Sequence, residues 1–250
     1  MIKVLLIISL ITLLSCTQNE DKELKETKTE RIENVDYIPL QKSLDEKKSA
    51  FEKTADDTKK KDYAAGIKAI IDEGVIDKAI NLGDKAPNFT LKNANGKSVQ
   101  LYDELKNGPV VLVWYRGGWC PYCNLTLKRL QDEQPNFDKF NASLVAITPE
   151  LPDSRLSTKE KNELSFEVLS DIGNKVGKEY GVVFELTDAV AKRYQAGFDL
   201  HGYNGDKSNT LPLAATYIIN SDGKIVYAYL DADYRNRAEP RDILEVLSKI

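Results

Sequence analysis

Between residues 109 and 131 the chain changes period, and that change limits what it can fold into. Pro109-Val110-Val111-Leu112-Val113-Trp114-Tyr115 is an unbroken apolar run rich in valine. It reads as a fully buried strand, of the kind that needs cover on both faces of its sheet. Eight residues follow, Arg116-Gly117-Gly118-Trp119-Cys120-Pro121-Tyr122-Cys123, and beyond them Leu127 and Leu130 recur at helical spacing. The chain therefore passes from a buried strand into a helix through a short turn that carries two cysteines. A thiol in the first turn of a helix faces unpaired backbone N–H groups and the positive end of the peptide dipole, which favour thiolate over thiol. A second thiol three residues on lies one helical turn away, within reach of a sulfenic acid or mixed disulfide on the first. Gly117 and Gly118 are expected to let the backbone turn sharply and to leave both sulfurs open to solvent.

A Cys-x-x-Cys pair is also half of a zinc site, but zinc needs two further thiolate or imidazole ligands. The chain offers only Cys16 and His201 besides, so we expect no metal. A purely structural disulfide closing so short a loop would stabilise a domain of this size little. The expectation is a redox dithiol, with Trp119, Pro121 and Tyr122 lining it.

The two ends of the chain differ from its middle. Met1-Ile2-Lys3 supplies a positive charge, residues 4–14 are almost all apolar, and the run closes on Leu13-Leu14-Ser15-Cys16. Its length suits a signal peptide and is too short to span a bilayer. The Leu-Leu-Ser-Cys end resembles the lipobox of bacterial lipoproteins. That resemblance implies removal of residues 1–15, lipid attachment at Cys16, and a place in the bacterial cell envelope, on a membrane outside the cytoplasm. Residues 16–42 are polar and charged with no apolar period, and are expected to be a disordered tether. With 35 basic against 39 acidic residues the chain carries a net charge of −4, which argues against a nucleic-acid partner.

Residues 43–80 read as a helical extension, with helices over 43–60 and 63–80 and a break at Gly74, lying against the outside of the domain at 81–250. Two extended segments, 82–91 and 95–101, are joined by Asn95-Gly96, a hairpin signal. Strands follow at 143–148 and 166–169. Helices are expected from Pro149 to Leu164, over 172–180 with a stop at Gly181, and over 187–198. Residues 201–209 read as a glycine-rich polar loop carrying His201 at the surface. Residues 216–219 and 224–229 pair as a hairpin, and 241–250 closes as a helix. Strands alternating with helices, then a hairpin and helix, imply an α/β fold whose mixed central sheet is covered by helices on both faces.

Three motifs fall in order: Gly83-Asp84-Lys85-Ala86-Pro87-Asn88-Phe89, the strand leading to Cys120-Pro121-Tyr122-Cys123, and Tyr217-Ile218-Ile219-Asn220-Ser221-Asp222-Gly223-Lys224. Together they resemble the peroxiredoxins of the alkyl hydroperoxide reductase and thiol-specific antioxidant group, over about residues 63–250, and most closely a subgroup with Arg-Gly-Gly-Trp-Cys-Pro-Tyr-Cys-Asn. The resemblance implies a thioredoxin-like fold and a thiol peroxidase that reduces hydrogen peroxide or organic hydroperoxides, with a thioredoxin-like electron donor and no cofactor. It assigns the two thiols in two ways. The peroxiredoxin motif Pro-x-x-x-Thr-x-x-Cys puts the peroxide-attacking cysteine on Cys123, the threonine on Cys120 and the proline on Arg116. The thioredoxin motif Trp-Cys-x-x-Cys puts an exposed nucleophile on Cys120 and the resolving thiol on Cys123, which would suit a thiol–disulfide oxidoreductase of the envelope. A binding module that merely retains the fold is the third reading. The arginine of peroxiredoxins and the cis-proline of thioredoxins both fall near Ala214, so the chain keeps neither; Pro212 is the neighbouring candidate for a cis bond. Arg116 is left as the candidate guanidinium, either assisting the thiolate or pairing with a surface carboxylate.

Overall fold

Strand β3 (Val110–Trp114) lies at the heart of a seven-stranded sheet and is buried along its whole length. Its side chains alternate as strand geometry requires: Val110, Leu112 and Trp114 enter the core on one face, Val111 and Val113 that on the other. The computed structural model describes residues 37–152 and 158–250. The expected signal at 1–15, Cys16 and most of the expected tether lie outside the described residues. From Pro39 to Ile250 the chain forms one compact unit.

The sheet also contains β1 (Thr90–Asn93), β2 (Ser98–Gln100), β4 (Ser143–Thr148), β5 (Glu167–Ser170), β8 (Thr216–Ile219) and β9 (Ile225–Tyr229), in the order β2-β1-β5-β4-β3-β8-β9. The central pairs β3–β4 and β4–β5 are parallel, and every outer pair is antiparallel. Both expected hairpins form, the first around Asn95-Gly96 with Gly96 at φ 77°. A separate two-stranded sheet of β6 (Val183–Glu185) and β7 (Thr210–Pro212) was not foreseen, because each strand is only three residues long. No cis peptide bond occurs among the described residues, so Pro212 is trans.

Helix α1 (Leu40–Thr54) packs on α5 (Pro121–Asp132), the helix after β3. Leu40 and Leu44 of α1 share one apolar core with Leu127 and Leu130 of α5 and with Ile243, Leu244 and Leu247 of α11 (Pro240–Leu247). On the opposite face, Ile70 of α2 (Asp57–Asp72), Val75 of α3 (Val75–Lys78), Val176 of α8 (Lys175–Glu179) and Val190 and Tyr194 of α9 (Asp188–Phe198) complete the second core. The sheet is thus covered on both faces. Short helices α4 (Leu101–Glu104), α6 (Gln134–Asp138) and α7 (Thr158–Lys161) fill the connections.

Several boundaries differ from the sequence reading, each for a local reason. The first two helices part at Ala55-Asp56, where the Asp56 carboxylate accepts the Lys59 N–H at 2.8 Å and caps α2. Gly74, at φ 63°, separates α2 from α3 as expected. Helix α8 starts three residues later than the apolar spacing suggested, because the buried Asp171 carboxylate takes the N–H groups of Val176 and Gly177 at 3.0 and 2.8 Å. The expected loop at 201–209 begins instead as helix α10 (Leu200–Asn204), capped by Asp199 and ended by Gly205 at φ 69°. Of the expected extended segment at 82–91, residues 82–84 form a turn instead, with Gly83 at φ 96°, and the stretch is tied to the β8–β9 hairpin by a bridge between Lys85 and Lys224 and by the Gly83 and Ala86 N–H groups, which donate to the Ile225 and Gly223 carbonyls at 2.9 Å. The helix expected from Pro149 is described only as α7, and residues 153–157 lie outside the described residues.

Candidate active site

Cys120 is the N-cap of α5, Pro121 opens the helix and Cys123 sits in its first turn. Proline suits that opening, since its ring presets φ and the missing N–H would have had no helical partner. The turn before it is pinned on both sides. The Gly118 N–H donates to the buried Glu150 carboxylate at 2.9 Å, and Asn124 Nδ2 donates to the Gly118 carbonyl at 2.8 Å. Gly117 holds φ 152°, and a Cβ there would lie 2.3 Å from Trp119 Nε1; one on Gly118 would lie 2.5 Å from Thr158 Oγ1. The two glycines make the sharp turn as the sequence indicated.

They do not expose the sulfurs. Cys120 is 1 % and Cys123 0 % exposed, which overturns the expectation of solvent-facing thiols. Both are free and lie in the same core as Leu40, Leu44 and Leu127. The cause is a cover that sequence reading missed, residues 230–239 between β9 and α11. Arg237, itself buried, donates from Nη2 to Cys123 Sγ at 3.5 Å. Its Nη1 donates to the carbonyl of Asn236 at 2.8 Å and to that of Tyr234, which fixes the guanidinium.

The two thiols are polarised in opposite directions. Burial disfavours either anion, but at Cys123 this is outweighed: a hydrogen bond from Cys120, the charges of Arg237 and Arg116 and the Arg116 backbone N–H hold its pKa below the ordinary thiol value. Cys120, desolvated and donating to its neighbour, is pushed well up despite the same two guanidinium groups. The arrangement favours the anion at Cys123 and the neutral thiol at Cys120.

Arg116 is 2 % exposed and lies among aromatic rings, 4.0 Å from the Tyr234 centroid, 5.1 Å from Trp119 and 5.2 Å from Tyr194, whose hydroxyl accepts from its Nη2 at 2.5 Å. No ion pair among the described residues involves it, so pairing with a surface carboxylate is not what the site contains. Trp119 stacks on Phe198 with centroids 4.3 Å apart. Tyr122 packs edge-on to Tyr234 at 5.6 Å. His201 is engaged by Asn209 Oδ1 at 2.8 Å. The sequence carried no local signal for Arg237, Tyr234 or Glu150: all sit in irregular segments, far along the chain from Cys123.

A helix-capping dithiol after the central strand of a mixed sheet, covered on both faces, defines a thioredoxin-like redox fold. Within it, residues 82–228 match the AhpC/TSA family, and the chain belongs to that family. Chloroplastic peroxiredoxin Q of Oryza sativa subsp. japonica is 33% identical over 150 residues, which cover 60% of this chain and 59% of that protein. Its counterpart in Populus jackii is 34% identical over 123 residues, covering 49% and 57%. The chain thus spans less than two thirds of these relatives' length. Peroxidoxin BcpB of Mycobacterium tuberculosis shares the fold, with a TM-score of 0.54 and 22% identity over 68% of this chain and 98% of that one. The family match takes in Arg116, Trp119, Cys120 and Cys123 but ends before Arg237.

Proposed function

We propose that the protein is a thiol peroxidase that reduces hydrogen peroxide or an organic hydroperoxide, with Cys123 as the attacking thiolate and Cys120 as the resolving thiol. The single observation that carries this reading is the asymmetry of the dithiol. Arg237 Nη2 lies 3.5 Å from Cys123 Sγ, while Cys120 donates to that same sulfur. The Cys123 thiolate attacks one peroxide oxygen; the O–O bond breaks, Cys123 becomes a sulfenic acid, and the other oxygen leaves as alkoxide or hydroxide and takes a proton. Arg237, and Arg116 from the turn, supply positive charge where that leaving oxygen develops. The Cys120 thiol then condenses with the sulfenic acid, releasing water and forming the Cys120–Cys123 disulfide. A thioredoxin-like dithiol donor reduces that disulfide by exchange and is itself oxidised.

Membership of the AhpC/TSA family and the similarity to peroxiredoxin Q support this assignment. The Leu13-Leu14-Ser15-Cys16 sequence supports a protein lipid-anchored through Cys16 in a bacterial cell envelope. The test compares Cys120→Ser with Cys123→Ser, each given hydrogen peroxide and, separately, insulin disulfides. Cys120→Ser should form a trappable sulfenic acid and Cys123→Ser should not. If mixed disulfides with insulin accumulate in Cys123→Ser while neither variant forms a sulfenic acid, Cys120 is the nucleophile and the protein is a disulfide oxidoreductase instead.

A further inference from the structure

Helix α1 begins at Leu40 after Pro39, which has no side-chain acceptor to satisfy the first N–H groups of the helix. Those donors are met from the far end of the chain: the Glu239 carboxylate accepts the Leu40 N–H at 2.9 Å and the Gln41 N–H at 2.7 Å. A carboxylate at a helix N-terminus is stabilised both by these bonds and by the helix dipole. Glu239 is held equally firmly from behind, since its backbone is the N-cap of α11 and its carbonyl accepts the N–H groups of Asp242 and Ile243. It lies two residues from Arg237.

The same short segment meets α1 at three further points. Arg235, held by the Asp233 carboxylate at 2.7 and 2.8 Å, pairs with Glu52 of α1 at 3.6 Å. Lys48 of α1 stands 3.8 Å from Asp233. Gln41 Nε2 donates to Asn236 Oδ1 at 3.5 Å. The underside of α1 packs through Leu40 and Leu44 into the core that holds Cys120 and Cys123. The segment that carries Arg237 is thus bounded by α1 on one side and α11 on the other.

We infer that α1 is a strap that seats the Arg237 guanidinium on Cys123, with Glu239 as the positioning residue that locks the strap to the arginine-bearing segment. Neither α1 nor residues 230–239 falls within the stretch matched by the family, so this is a device of the chain's own flanks. As a statement about peroxide chemistry it rests on the assignment of Cys123 as the attacking thiolate. As a statement about thiolate acidity it does not need that assignment. The charged and titratable groups that interact with Cys123 are Cys120 from the helix cap, Arg116 from the turn, Tyr115 just beyond β3 and Arg237 from the covering segment. Of these, Arg237 is the one two residues from Glu239, on the segment that Glu239 ties to the start of α1.

The experiment is a double-mutant cycle on the full chain, Glu239→Ala and Arg237→Met singly and together. The Cys123 pKa is read from the pH dependence of iodoacetamide alkylation in a Cys120→Ser background, and the rate with hydrogen peroxide is read separately with Cys120 present. Glu239→Ala should raise the Cys123 pKa by about one unit, a tenfold change in ionisation. In the Arg237→Met background it should change that pKa by less than about twofold in ionisation. Glu239→Gln, which keeps one carboxamide oxygen for the two N–H groups, should shift the pKa in the same direction by less. A fall in thermal stability with no movement of the pKa in Glu239→Ala or Glu239→Gln would make Glu239 only a helix cap and overturn the inference. Equal shifts with and without Arg237 would overturn it as well. Should the peroxide rate be negligible in every variant while the pKa pattern holds, the peroxidase reading fails and the strap stands.

Discussion

Removing the Arg237 guanidinium should separate two contributions to reactivity at Cys123. Arg237→Met keeps much of the side-chain volume and deletes the charge. At 3.5 Å between Nη2 and Sγ, an effective dielectric constant of about 20 gives roughly 5 kcal/mol of attraction, a ceiling that corresponds to more than three pKa units. Arg116 and the Cys120 hydrogen bond remain, so the expected rise is about 1–3 units, the usual effect of one adjacent opposite charge. A more basic thiolate is also a better nucleophile, by a factor of about 3 per unit, which offsets part of the lost ionisation near neutral pH. What is not offset is the charge that Arg237 places near the departing oxygen, worth about 10²–10³ in rate when a preorganised donor is lost. The two parts come apart with pH. If Arg237 only acidified Cys123, the variant would react faster than the parent at about pH 9, where both are ionised and the variant's sulfur is more basic. If it also stabilises the leaving oxygen, the variant stays slower throughout. Stopped-flow fluorescence of Trp119 with hydrogen peroxide across that range, with alkylation to fix the pKa, makes the measurement. A pKa shift under about 0.3 units together with a rate within twofold of the parent would refute the reasoning.

Alkylation of the reduced protein should proceed in two separated waves: Cys123 stays reactive well below the ordinary thiol value of about 8.5 and loses reactivity only as pH falls through its depressed pKa, whereas Cys120 reacts only in alkali. Mass spectrometry of the labelled peptides reads both, and a single shared profile would contradict the polarisation. Gly117→Ala drives a Cβ to 2.3 Å from Trp119 Nε1 at a φ of 152° and should cost about 1–3 kcal/mol in chemical denaturation, with a change in Trp119 emission as it leaves Phe198. Leu44→Ala should cost about 2–5 kcal/mol, because Leu44 is wholly buried beneath α1; a loss below about 1 kcal/mol would mean that the helix is not part of the core.

The sheet was legible wherever a strand was long enough to show a period. The all-apolar run at Val110–Trp114, the six residues of Ser143–Thr148 and the Asn95-Gly96 and Asn220–Gly223 turns each specify their structure locally, and all four stand where the pattern put them. The three-residue strands β6 and β7 were not legible, since neither shows a period of its own and each exists only by pairing with the other across 25 residues. At the site, spacing found both thiols and Arg116 because they share one turn. It failed on exposure, because what buries them arrives from residues 230–239, over 100 positions away. A thiolate of this acidity needs a compensating charge, and Arg116 supplied one from within the motif. Nothing in Tyr234-Arg235-Asn236-Arg237 marks one of its two arginines as the other partner.

The reduced state of this dithiol is the one the site is built to hold. Arg116 and Arg237 are both buried and both act on the Cys123 anion. Forming the Cys120–Cys123 disulfide removes that anion and leaves two desolvated cations without it, while the four-residue loop it closes adds little stability in return. The sign follows from linkage. Cys123 has a depressed pKa, so its contribution to the folded, reduced protein is present in full above the unfolded thiol value of about 8.5 and vanishes as pH falls through the folded pKa. At about pH 7 each unit by which the folded pKa lies below ambient adds about 1.4 kcal/mol to the reduced form, or about 30 mV to the potential. Cys120, raised rather than lowered, is neutral there in both states and adds nothing comparable. The couple should therefore be less negative than thioredoxin's value of about −270 mV by several tens of millivolts, and the oxidised protein should melt below the reduced one. Such a disulfide accepts electrons readily from a thioredoxin-like donor, and the dithiol it yields is a weak reductant of protein disulfides, which suits a peroxidase and not a disulfide reductase. Equilibration with glutathione redox buffer at about pH 7 gives the potential; a value at or below that of thioredoxin, with the oxidised form the more stable, would mean that the two guanidinium groups do not favour the thiolate as their position implies.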